Sequence, residues 1–77
     1  MEKLNEETVL SDTQEVVLAY ILGGFTSQKK LAKVLGKSIH YTKYHLSELY
    51  RKTESKSMTD LVVWAYKRSE TRNGNNL

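Results

Sequence analysis

The apolar positions of this chain fall into four groups with helical spacing, punctuated by glycine and serine. Val17, Leu18 and Ile21 recur at i, i+1, i+4, one face of a helix. Ahead of them, Ser11-Asp12-Thr13-Gln14 reads as a capping box, with Ser11 capping and Gln14 reaching back. Leu10 stands just before the cap, where it can pack onto the first turns. Gly23-Gly24 ends the segment, so a first helix is predicted over 12–22. Thr26 or Ser27 caps the next segment, whose stripe is Leu31, Val34 and Leu35. Ala32 lies where a neighbouring helix can approach closely, and Gly36 stops the segment. This second helix, 28–36, has only two to three turns and needs tertiary packing to persist.

Ser38 follows at once as a third cap. Thr42, Leu46, Leu49 and Thr53 recur at i, i+4, i+7, i+11, which predicts a helix over 39–53. Two of those four inward positions are threonine, so each hydroxyl needs a partner, such as the carbonyl one turn back. The other faces carry His40, Tyr41, Lys43, Tyr44, Ser47, Tyr50, Arg51 and Lys52. Ser57-Met58-Thr59-Asp60 opens a fourth helix over 58–68, with an acid at N3 that suits the helix dipole. Leu61, Val62, Val63, Trp64, Ala65 and Tyr66 make that helix apolar on more than one side. A surface helix needs one stripe only, so the surplus calls for a cover. Residues 1–9 read as a flexible N-terminus and 70–77 as a disordered tail. One all-α domain remains, residues 10–69.

Size and composition narrow the function. A chain of 77 residues holds one domain at most and has no room for the deep cleft of most cofactor enzymes. It has no cysteine, hence no disulfide and no thiolate zinc site, which fits a reducing cytoplasm. A core this small rarely gains more than about 3–5 kcal/mol, so oligomerisation is expected. No apolar run approaches the ~20 residues of a membrane span, and the N-terminal residues do not form a signal peptide.

The net charge of +3 is unevenly spread. Residues 1–25 set one lysine against five acids. Residues 26–56 set eight basic side chains against Glu48 and Glu54. A basic block of this kind attracts polyanions. It coincides with the second and third segments, which meet across the short turn Leu35-Gly36-Lys37-Ser38. Two helices joined by a tight glycine turn describe a helix-turn-helix. In that motif the second helix enters the DNA major groove. Lys43 and Ser47 can reach base edges, and Tyr44 can contact a thymine methyl. The caps at Ser27 and Ser38 leave backbone N–H groups that suit phosphate oxygens.

The chain resembles the LuxR/GerE-type four-helix DNA-binding domain of bacterial transcription regulators. The resemblance rests on Leu10-Ser11, Val17-Leu18, Gly23-Gly24, Ser27-Gln28-Lys29-Lys30-Leu31-Ala32, Leu35, Ser38, Tyr41-Thr42-Lys43-Tyr44-His45 and Lys52-Thr53. Leu61 and Ala65 fall on apolar positions of the family's last helix. It spans residues 10 to 68, with one extra residue near Phe25. It implies base-reading positions at Lys43, Tyr44 and Ser47, and phosphate-contacting positions at Ser27, Gln28, Lys29, Ser38, Tyr41 and Lys52. It also implies a homodimer through the fourth helix, with Val62, Val63 and Tyr66 at the interface. Departures include Lys37 where the family has a buried Ile or Leu, Thr42 and Thr53 for Val and Leu, and Tyr41 for Thr.

The expected function is therefore sequence-specific binding of duplex DNA by a standalone transcriptional regulator, bacterial or phage-encoded and cytoplasmic. No cofactor or metal is expected. His40 and His45 have no acid beside them, and the serines sit at helix starts, where capping explains them better than nucleophilic catalysis. No feature favours an enzyme. The alternative is a helix-turn-helix repurposed to bind another regulator or RNA polymerase through its tyrosines, since exposed tyrosine is favoured at protein interfaces.

Overall fold

The computed structural model describes residues 9–74, with side chains for residues 9–70. Among the described residues the chain forms four helices and no strand: α1 (Asp12–Leu22), α2 (Gln28–Leu35), α3 (Ile39–Thr53) and α4 (Met58–Gly74). The starts follow the serines. Ser11 accepts from the Gln14 N–H at 3.2 Å while Gln14 Oε1 accepts from the Ser11 N–H at 3.0 Å, the reciprocal pair of a capping box. Ser27, Ser38 and Ser57 accept from the N–H groups of Lys30, Tyr41 and Asp60. At α4, Asp60 also reaches back to the Lys56 N–H, 3.0 Å away.

Three helices end by one geometry. The Phe25, Lys37 and Ser55 N–H groups donate back across the turn to the carbonyls of Tyr20, Ala32 and Tyr50. This closure needs a left-handed residue just before the donor. Gly36 supplies it after α2, with φ 70°. After α3 the residue is Glu54, with φ 57°, a conformation that L side chains rarely adopt. Phe25 packs edge-on against Tyr20 after α1, ring centroids 5.6 Å apart, which supplies the apolar contact that accompanies such an ending.

α3 lies at the centre and touches the other three helices. α1 also packs on α2 and α4, whereas α2 and α4 do not meet among the described residues. The shared core is Leu10, Val17, Leu18, Ile21, Leu31, Leu46, Leu49, Leu61 and Ala65. Both inward threonines of α3 bond one turn back as expected. Thr42 Oγ1 donates to the Ser38 carbonyl at 3.0 Å, and Thr53 Oγ1 to the Leu49 carbonyl at 2.8 Å. These bonds let two hydroxyls lie inside without loss of a partner.

Three expectations change. α4 does not stop at residue 68 but continues to Gly74. Residues 69–73 contain no proline or glycine to interrupt the ladder, so polar composition alone did not mark an end. Residues 70–74 of the expected disordered tail 70–77 are thus helical, and its last residues, 75–77, and residues 1–8 lie outside the described residues. α2 ends at Leu35, with Gly36 as its cap rather than its last residue. Tyr50, placed among the outer-face residues of α3, is half-buried against the core, and burial pushes its hydroxyl pKa up.

Candidate nucleic-acid interface

The face of α3 turned from the core carries the expected base-reading residues. Lys43, Tyr44 and Ser47 are all exposed, and Tyr44 is 60% exposed. They owe that position to spacing. With Thr42, Leu46, Leu49 and Thr53 buried, Tyr44, two places past Thr42, points away from the core, and Lys43 and Ser47, each one place past a buried residue, lie on its flank.

The N-terminus of α3 adjoins the α2–α3 turn, and that of α2 lies at the other end of α2. Ser27, Gln28, Lys29 and Ser38 are exposed. Each serine hydroxyl satisfies one amide three residues on. The first two amides of each helix, those of Gln28 and Lys29 and of Ile39 and His40, have no carbonyl partner within the helix. Such groups, with the positive end of the helix dipole, suit an anionic oxygen. Lys29, Lys30, Lys33, Lys37 and Lys43 are exposed on the same two-helix unit.

Tyr41 and Lys52 occupy different surroundings from the rest of the set. Tyr41 is half-buried against His45, with ring centroids 4.6 Å apart, and the Lys37 ammonium lies 5.3 Å from its ring centre. Lys37, which departs from the buried aliphatic residue of the resembled family, is thus exposed and lies over a tyrosine face. His45 stands between Tyr41 and Tyr44, and its buried Nδ1 has no hydrogen-bond partner. Lys52 faces α1. Its ammonium donates to Gln14 Oε1 at 2.9 Å and to the Val9 carbonyl at 3.4 Å. That contact ties the end of α3 to the start of α1. The charge pattern of the sequence did not reveal it, because Lys52 and Gln14 lie 38 positions apart.

Two further charged pairs escaped the sequence reading. Arg68 on α4 holds Glu15 on α1 through both guanidinium nitrogens, at 3.3 and 3.1 Å, and also lies over the Trp64 ring at 4.9 Å. Arg51 pairs with Glu48 on the outer side of α3. The hydrogen bond from Arg51 holds the Glu48 carboxyl below the usual carboxylate range. The Glu48–Arg51 spacing of three was visible, but which side of the helix it occupied depended on the core.

On α4, Leu61 and Ala65 point inward. Val62 is half-buried, whereas Val63 and Tyr66 stay 45% and 58% exposed. The three expected interface residues thus leave apolar surface outside the core. Among the described residues no helix is long and apolar enough to cross a membrane, and no group of three or more His, Cys, Asp or Glu side chains is placed to share a metal ion.

Comparisons of the chain with known proteins return no matching family model, no matching curated protein and no matching solved structure.

Proposed function

We propose that this chain is a helix-turn-helix module of the LuxR/GerE-like kind, a transcriptional regulator that binds duplex DNA sequence-specifically as a homodimer. The observation that carries the reading is the α2–α3 unit, on which the exposed Lys43, Tyr44 and Ser47 of α3 occur together with exposed capped helix starts and a run of exposed lysines. α3 enters the major groove and reads bases with those three side chains. Ser27, Gln28, Lys29 and Ser38 fix the module on phosphates. Tyr41, half-buried against His45, is a further phosphate contact in this reading. α4 pairs with its copy through Val62, Val63 and Tyr66, which sets the two recognition helices about one turn of DNA apart. The action is stoichiometric binding rather than catalysis.

A second reading draws on the ring cluster of Tyr41, Tyr44 and His45, which suits a protein partner such as another regulator or the polymerase. Selection of bound sites from random duplex DNA separates the two. A motif with two-fold symmetry supports DNA binding and dimerisation together. Recovery of no motif defeats the DNA reading. Salt gives an independent check: binding through several phosphates weakens steeply as salt rises, and a tyrosine-centred interface does not.

A further inference from the structure

Arg51 and Lys52 are neighbours in sequence with different surroundings. The Lys52 ammonium is engaged by Gln14 and the Val9 carbonyl. Arg51 lies on the outward stripe of α3, where His40, Tyr44, Ser47 and Arg51 recur at i, i+4, i+7, i+11 and are all exposed. This stripe parallels the buried one of Thr42, Leu46, Leu49 and Thr53 on the opposite side. Its eleven-residue length corresponds to ~16 Å of helix, against a major groove about 12 Å wide. When Tyr44 and Ser47 face base edges, Arg51 lies beyond them, toward the phosphate row at the groove wall.

We infer that Arg51, rather than Lys52, is the phosphate anchor at the C-terminal end of α3, and that Glu48 holds its guanidinium until a DNA phosphate displaces the carboxylate. The inference rests on the DNA reading above. The Arg51 side chain is 67% exposed and that of Glu48 25% exposed, so a phosphate has access to the guanidinium. A phosphate presents the same kind of acceptor that Glu48 does, and guanidinium binds both through a fork of N–H donors. After the exchange Glu48 is left as an anion near the DNA backbone, with Lys52 and His45 the other groups that lower its pKa through their charge. The pair therefore opposes docking in the free protein and sharpens dependence on a closely fitting phosphate.

Phosphate contact is independent of base sequence, so a labelled mixed-sequence duplex at low salt is a sufficient probe. Fluorescence polarisation across a salt series compares the wild-type chain with Arg51→Gln, Glu48→Gln and Lys52→Gln, and thermal melts check that each is folded. Arg51→Gln is expected to weaken binding about fivefold and to lower the slope of log affinity against log salt by about one. Glu48→Gln is expected to tighten binding about threefold, because the competing acceptor is gone. Lys52→Gln is expected to lower the melting temperature and leave the slope unchanged. Unchanged affinity and slope in Arg51→Gln overturn the anchor. Weaker binding in Glu48→Gln overturns the latch, since Glu48 then contributes to docking itself. If the wild-type chain leaves duplex DNA unbound at low salt, the DNA reading falls and takes this assignment with it.

Discussion

α3 and α4 share one core but turn unlike surfaces outward. α3 buries a stripe of two leucines and two threonines and presents lysine, tyrosine, serine and arginine on the other side. α4 buries Leu61 and Ala65 and leaves Val63 and Tyr66 exposed, with Val62 half-buried. A polar, cationic helix face is compatible with water and attracts a polyanion. An apolar one remains as a site that association would cover. Under the function proposed above, the two surfaces take different partners, nucleic acid for one and a second copy for the other. The contrast extends to the helices behind them. α2 is short and basic, while α1 brings acids and is tied to α4 by the Glu15–Arg68 pair.

The contrast can be broken most forcefully from inside α3. Leu49 is fully buried, and Leu49→Ala is expected to cost about 2–5 kcal/mol of stability, whereas Tyr44→Ala should stay within about 0.5 kcal/mol. Urea titration of both variants measures the difference, and equal effects would erase the division of α3 into inner and outer faces. Lys43→Ala should weaken specific DNA binding by about 1–3 kcal/mol and leave folding intact, read by polarisation on the selected site. Tyr66→Ala should act on the other surface. It is expected to weaken self-association by about 2 kcal/mol, seen by sedimentation, without altering which bases are selected. A change of base preference instead would place Tyr66 at the DNA.

Smaller effects sharpen the account of α3 itself. Glu54→Gly relieves the left-handed cap of α3 and should add about 0.5–1 kcal/mol of stability, visible as a higher melting temperature. The least effect is expected from the Glu48–Arg51 pair. Because pairing lowers the Glu48 pKa in the folded state, its contribution is present above the ordinary carboxylate pKa and is lost as pH falls through the folded value. The stability difference between wild type and Glu48→Gln should therefore be present at neutral pH and disappear in acid. An unchanged difference would mean that the carboxylate stabilises nothing through its charge.

Much of the fold was legible because its determinants are local. Ser11, Ser27, Ser38 and Ser57 cap as read, since a hydroxyl three residues before an amide finds it in any helix start. The inward stripe of α3 and the carbonyl partners of its two threonines follow from helical periodicity alone. The end of α4 was missed because a polar helix and a polar tail share the same composition. Glu54 carried no signal as a left-handed cap, as a charged residue is not the ordinary choice there. At the candidate interface, the exposure of Lys43, Tyr44 and Ser47 followed from the stripe. The engagement of Lys52 did not, because its partners lie on another helix.

The four helices, their starts, their inward faces and the basic block on the middle pair can all be read from the amino acids in order. Each depends on residues within one or two turns of one another. Packing of the helices was needed for Lys52 to tie α3 to α1 and for Arg68 to hold Glu15. Such pairings depend on how the helices are laid against each other. Charge separated by tens of residues has no preferred partner until burial of Leu18, Leu31, Leu49 and Leu61 in one core brings the helix ends together.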